Sequence, residues 1–358
     1  MNRPLAIALL CIFACTNTKP PPPNPLLLGT PRAGVYSEVT DYASIEPALT
    51  NLAANHLDLF QVMPSSDIGS PALAALIRAA GKAQVGVRAW LVLPKDQGYW
   101  LNEADIDQYA LQLTKLLAWI RTENLPVTAI TFDIEPGWDY TQQFIALASN
   151  TGRPTRVNDL VALMKHHVDH AAFLVSQQRF EALIDQVHAA GLAAHCVTYP
   201  MVLDDYQNRD SILQDALDIP VAGLDWDETS FMIYRSTFQL LAEQSLSNDL
   251  IYSYAVDAVA HFGANAGADF GVIGDDPVSG AKGYETPAEL SADISAAVAA
   301  GISPTRLHLY SYEEAALLPP LAPWLAFPAA PDIPAPATDP NVSALRSEFA
   351  LLSVLLRE

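Results

Sequence analysis

Cysteine is nearly absent: the chain of 358 residues holds three, Cys11, Cys15 and Cys196. The first two lie in an N-terminal segment expected to be removed or lipidated, so only Cys196 is left to the folded part and no internal disulfide forms there. Positive charge is scarce as well. Lys and Arg number 19 against 40 Asp and Glu, a formal net charge of −21. A surface this acidic repels phosphate backbones and anionic headgroups, which excludes nucleic acid as an expected partner. No Gly-rich phosphate loop follows the first strand candidate, so the mark of a dinucleotide-binding open sheet is missing. The N-terminal apolar segment runs only from Leu5 to Ala14, half of the ~20 residues that span a bilayer.

That segment follows Arg3 and ends with Ala14 before Cys15, with Ile12 three positions upstream of the cysteine. The pattern resembles the lipobox of bacterial lipoproteins, although Phe13 is an unusual occupant. The resemblance implies cleavage before Cys15 and lipid on its sulfur; an ordinary secretory signal cut nearby is the alternative. Residues 1–14 then form a signal peptide. Residues 15–30, with the run TNTKPPPPNP, form an extended Pro-rich tether that cannot pack. The implied location is the cell envelope, with the membrane reached only through the lipid anchor. In a Gram-negative cell Thr16 after the cysteine, in place of Asp, points to the outer membrane.

About 310 residues remain, which is large for anything but a barrel-type single domain or two ordinary domains. Short apolar runs at 33–37, 57–64, 85–94, 127–135, 192–199, 229–236, 268–274 and 306–312 alternate with stretches of helical periodicity. Helix starts carry local marks at Ser70-Pro71 and at Thr286-Pro287-Ala288-Glu289, a capping-box pattern. Gly81, Gly191 and Gly301 sit where helices should stop. Eight strand–helix pairs without an antiparallel meander argue for an α/β fold, a (β/α)8 TIM barrel over residues 31–318. A doubly wound open sheet is the runner-up. A Pro-rich connector, 319–340, leads to one amphipathic helix, 341–358. Its Val342, Leu345, Phe349, Leu352 and Leu355 line one face and are expected to seal the outside of the barrel.

In such a barrel, chemistry gathers at the C-terminal strand ends. In the stretch 130-ITFDIEPGWDY-140, alternation puts Thr131, Asp133 and Glu135 on one face and Ile130, Phe132 and Ile134 on the other. Two acids therefore point inward at the end of the fourth strand. Trp90, Tyr199, Tyr234 and Tyr312 furnish other strand ends, and Trp100, Trp138 and Trp226 lie on adjoining loops. Aromatic rings around acids suit a sugar, whose C–H faces stack on rings while its hydroxyls bond carboxylates. Arg88 shares the inward parity of Trp90, either as a ligand contact or as the counter-ion of Asp133 or Glu135. His166 and His170 stand one turn apart with Asp169 between, the spacing of a metal pair. No second ligand cluster accompanies them, so a solvated helix face is the expectation, and neither metal nor other cofactor is expected. Cys196 reads as a small buried residue on the fifth strand.

These residues resemble the family 18 glycoside hydrolases (chitinases and endo-β-N-acetylglucosaminidases), which end strand four with DxxDxDxE and strand six with Met-x-Tyr followed by an acid. The corresponding positions are Thr128, Thr131, Asp133 and Glu135, then Met232-Ile233-Tyr234 followed by Arg235. The last acid pair and Met-x-Tyr match; the other three positions do not. The resemblance implies that Glu135 protonates the glycosidic oxygen. Asp133 would orient a substrate acetamido group acting as nucleophile, and Tyr234 would hold its carbonyl, a substrate-assisted route. A neighbouring Asp133 carboxylate would raise the pKa of Glu135 by like-charge repulsion. Thr128 and Thr131 remove the buried relay below Asp133, which leaves open a two-carboxylate mechanism pairing Glu135 with Asp227, Asp275 or Glu313.

The sequence thus points to an exported, lipid-anchored, glycoside hydrolase-like barrel that acts on or binds a polysaccharide or oligosaccharide. Glu135 and Asp133 carry the chemistry; Trp90, Arg88, Tyr199, Asp227, Tyr234, Tyr312 and Trp138 contact the substrate. A non-catalytic carbohydrate-binding or envelope-scaffolding lipoprotein on the same fold is the alternative, favoured by the two threonines. A metal-dependent hydrolase using Asp133, Glu135 and His195 is weakened by the lack of an HxH motif on the first strand.

Overall fold

The computed structural model describes residues 31–150, 153–275, 280–327 and 333–357. The expected signal peptide, Cys15 and the tether lie outside the described residues. Eight parallel strands close on themselves: β1 (Gly34–Ser37), β2 (Asp58–Pro64), β3 (Val87–Val92), β4 (Val127–Ile134), β5 (Ala193–Thr198), β6 (Glu228–Met232), β7 (Ala266–Phe270) and β8 (Leu307–Leu309). Each pairs with its sequence neighbour, and β1 pairs with β8, so the open doubly wound sheet is excluded. The strands are buried on both faces, inside by one another and outside by helices, which is why they read as near-continuous apolar runs.

Three strands end earlier than their apolar runs. β6 stops at Met232, and Tyr234 caps the helix Arg235–Ala242. β7 stops at Phe270. β8 stops at Leu309, and Tyr312 opens the helix Tyr312–Leu317. Between β3 and β4 the register slips at Val87/Arg88, leaving Thr128 as the extra residue of a bulge. Its hydroxyl donates to the Val87 carbonyl at 3.0 Å.

The helix signals hold with one exception. Ser70 accepts from the Leu73 amide at 3.4 Å, and Thr286 and Glu289 form the reciprocal capping box. Gly191 (φ 76°) and Gly301 (φ 108°) follow helix ends in the left-handed region. Gly81 does not end its helix, which continues to Lys82. A Cβ there would lie 2.7 Å from the Pro126 ring, so close packing accounts for that glycine.

The connections after β4 and β6 hold more than one helix. His170–Ala189 packs on β5 and on Ile106–Thr122 as part of the outer ring, while Trp138–Asn150 and Arg153–Lys165 precede it as an inserted pair packed on each other. Arg235–Ala242 likewise precedes the ring helix Asp249–Phe262, which packs on β7. The C-terminal helix Pro340–Arg357 packs against Val202–Asn208, Ile212–Ala216 and Arg153–Lys165, helices of the β4–β5 and β5–β6 connections. It buries Val342, Leu345 and Leu356, with Phe349 and Leu352 at the edge of the contact. Arg346 fastens it, pairing with Asp204 at 2.8 Å and Asp257 at 2.6 Å over the Tyr254 ring. Among the described residues no helix is long and apolar enough to cross a membrane.

Candidate active site

Strand alternation fills the barrel with two very different populations. At the N-terminal end of the bore, Arg88 meets Glu228 at 2.7 Å and Asp58 at 3.6 Å. Glu228 also takes Arg306 at 3.1 Å and His308 at 2.6 Å. Burial pushes the Glu228 carboxyl up, but the Arg88 guanidinium and the hydrogen-bonded His308 outweigh it and hold it well below the usual carboxylate range. The single ligand-like atoms of His195, Glu228 and His308 all lie within 4.8 Å of one another. Two guanidiniums already neutralise that carboxylate, so an added cation would meet like charge; the trio forms an ion-pair cluster.

Above this cluster the bore becomes aromatic and hydrogen-bonded. The His195 ring meets Ser230 Oγ at 2.8 Å, and burial pushes its pKa well down, so the ring is neutral. The Tyr36 hydroxyl donates to Asp269 at 2.9 Å, and the Tyr36 ring lies edge-on to Trp90 at 5.5 Å. At the mouth sit Asp133 and Glu135, only 5% and 7% exposed. The Trp90 indole donates to Asp133 Oδ2 at 3.1 Å, and the Tyr199 hydroxyl donates to Glu135 Oε2 at 2.5 Å. The two carboxyls are in hydrogen-bonding reach of each other. Burial first, then the Glu135 charge, pushes Asp133 well above the ordinary carboxylate range. Two interacting carboxyls titrate as a pair.

A cleft of about 580 Å³ opens above these acids. Asp133, Glu135, Trp90, Tyr199, Tyr234 and Trp138 all line it. Trp100 and Trp138 stand 5.4 Å apart at one side, with the Lys95 ammonium 3.8 Å from the Trp138 ring centre. Tyr234 and Tyr310 lie nearly parallel at 6.1 Å on the other.

Three of the residues read as substrate contacts lie elsewhere. Arg88 has the inward parity expected of it but sits at the N-terminal end of β3, two residues below Trp90, and is consumed by Glu228 and Asp58. It is the counter-ion of neither mouth acid. Asp227 precedes β6 and so lies at the opposite end of the barrel, bonded to His188 at 2.8 Å and to the Ala194 amide. Tyr312, as the first residue of a helix, faces Asn51 at 3.5 Å rather than the cleft.

Of the other acids weighed as partners for Glu135, Asp275 is exposed and paired with Lys282, and neither it nor Glu313 lines the cleft. Trp226 packs on Phe132 outside the barrel wall. His166 and His170 fall on either side of a helix break, so they share no helix face. Cys196 is buried.

Sequence reasoning passed over Tyr36, Glu38 and Asp269. Glu38 lines the cleft and accepts from the Tyr310 hydroxyl at 2.7 Å. Its signal was the one that found Glu135: an acid one residue beyond a strand end, on the inward parity. Asp269 sits in the run ADFGV on the inward parity of β7, hidden because the neighbouring positions of that parity, Gly267 and Gly271, carry no aromatic or second acid to flag it.

No family model matches the chain, and no curated protein does. Solved structures show only distant likeness. A chitinase from Chromobacterium violaceum ATCC 12472 is 12% identical with a TM-score of 0.47, covering 89% of this chain and 99% of that one. An L-ribulose 3-epimerase is 12% identical with a TM-score of 0.42 over 92% and 95%. A xylose isomerase-like TIM barrel protein from Mycobacterium smegmatis is 10% identical with a TM-score of 0.43 over 90% and 98%. Each resembles this chain in fold alone.

Proposed function

We propose that this barrel is a glycoside hydrolase in which Glu135 donates the proton to the leaving oxygen. The observation that carries the reading is the buried neighbouring pair of Asp133 and Glu135 at the floor of an aromatic cleft. Its geometry bears on mechanism. Carboxyls that flank a glycosidic bond stand about 5–5.5 Å apart in retaining enzymes and 6.5–9.5 Å in inverting ones. Asp133 and Glu135 stand two residues apart on one face of a single strand end, so both approach a bound glycosidic bond from the same side. Asp133 therefore suits the task of orienting an acetamido nucleophile and holding a proton with Glu135, with Tyr234 placed in the same cleft for the acetamido carbonyl. The Trp90 indole fixes Asp133, and the Tyr199 hydroxyl fixes Glu135. Thr131, which stands where the resembled family has an acid, is buried beneath them and carries no charge, so the pair is free of a third repelling carboxylate from β4.

The test is a panel of chito-oligosaccharides and aryl glycosides assayed with wild type and Glu135→Gln. Gln keeps the shape and hydrogen bonds but gives no proton, so turnover falls by ~10²–10⁴-fold while folding persists. Wild-type turnover by Glu135→Gln refutes the assignment. A panel bound but never cleaved by wild type leaves the carbohydrate-binding alternative. Export and lipidation at Cys15 are part of the same proposal and rest on the sequence pattern. Cys15→Ser should then move the protein from the membrane to the soluble fraction; unchanged membrane association would rule out an anchor on that sulfur.

A further inference from the structure

The cleft is segregated by charge. Its charged lining residues, Glu38, Lys95, Asp133 and Glu135, all follow or end strands β1, β3 and β4 at the mouth. Beyond them the inserted helices Trp138–Asn150 and Arg235–Ala242 supply the lining, where Phe144, Ile145, Leu217, Phe238, Leu240 and Leu241 outnumber the uncharged polar Thr141, Gln142 and Thr237 and no charged residue stands. Leu240 is 40% exposed there, a large aliphatic side chain held open to solvent. Sugars are bound by ring faces and hydroxyl partners, and the aliphatic side chains of Ile145, Leu217, Leu240 and Leu241 supply neither. Such a wall matches a saturated chain, whose removal from water is favourable without hydrogen bonds.

We infer that the substrate is a glycoconjugate bearing an alkyl or acyl chain: the sugar lies over Asp133 and Glu135, and the chain occupies the arm between the two inserted helices. This rests on the proposed sugar site for the position of the head and on the charge segregation for the tail. Both helices are additions to the outer ring, so the arm exists only because the β4 and β6 connections carry extra elements.

The probes are methyl, butyl and octyl β-N-acetylglucosaminides, with octyl sulfobetaine as a sugarless chain, each kept below its micelle-forming concentration. Binding is followed by calorimetry with Glu135→Gln, so that no probe is consumed. Affinity should rise about fourfold for each methylene the arm buries, and octyl sulfobetaine should bind as well. Leu240→Asp, at a position already open to water, and Leu241→Asp should each lower octyl affinity at least tenfold relative to methyl. Affinity flat in chain length, or no binding of either octyl compound, overturns the inference. The two readings fail separately. Chain-length dependence without turnover by wild type removes the hydrolase and keeps the arm, whereas Glu135-dependent hydrolysis with no chain-length dependence does the reverse.

Discussion

Arg88 shows how far parity carries at the level of one residue. Alternation assigned it correctly to the interior, but an interior has two ends, and only depth along β3 separates the mouth from the base. Trp90, one step of alternation higher, reaches Asp133, while Arg88 reaches Glu228. The partners themselves were invisible, because Glu228, Arg306 and Asp58 are brought together by closure of the barrel and not by any local spacing. Arg88→Met should cost about 3–5 kcal/mol, since it strips a buried carboxylate of one guanidinium. Denaturant unfolding measures it. A loss below about 1 kcal/mol combined with weakened sugar binding would return Arg88 to the site. By contrast, Asp133 and Glu135 were legible, since two acids ending an apolar strand share a face by geometry alone.

Elements were legible where a local rule governs them. The capping box at Thr286 and the glycine stops at 191 and 301 each satisfy orphan backbone groups, and all three stand where they were read. The early ends of β6 and β8 escaped notice because Tyr234, Arg235 and Tyr312 look equally at home in a strand or in the first turn of a helix. The C-terminal helix was recognised by its period, but its partners were not. Its face includes Leu356 and not Leu355 at the distal end, and it braces the connections that build the cleft walls. Leu345→Ala should therefore destabilise by about 2–5 kcal/mol, the range for emptying a buried leucine site. It should also loosen the helix Arg153–Lys165, which packs on the cleft-lining helix Trp138–Asn150; hydrogen exchange would register this as faster exchange there than in the ring helices. Uniform exchange in the mutant would contradict the bracing role.

The molecule as a whole is strongly acidic, at −21, and several of its carboxyls are buried. Burial, only partly offset by Arg346, pushes Asp204 up to about 6 from 3.8, and burial with the Glu135 charge pushes Asp133 well above its ordinary value. A carboxyl raised on folding contributes stability that is full below its unfolded pKa and lost as pH climbs through the folded one. Glu228 works in the opposite sense: its contribution is present above its unfolded pKa and lost as pH falls through the depressed value. Tm should therefore climb as pH drops from 8 to about 5, helped by falling net charge, and decline below about 4. Calorimetry across that range checks it, and a steady fall in Tm from pH 8 to 5 would show that Asp204 and Asp133 are not raised.

Proton donation by Glu135 is tested most directly by varying the leaving group. A dinitrophenoxide departs without a proton, whereas a sugar hydroxyl or alkoxide needs one in the transition state. Glycosides of the two kinds should be compared in wild type, Glu135→Gln and Asp133→Asn. Glu135→Gln should keep most of its rate on the dinitrophenyl glycoside and lose ~10²–10⁴-fold on the oligosaccharide. Asp133→Asn should slow both, with the alkaline limb of the oligosaccharide profile moved to lower pH, because a neighbouring negative charge no longer opposes loss of the shared proton. Equal losses on the two substrates in Glu135→Gln would contradict proton donation by this residue.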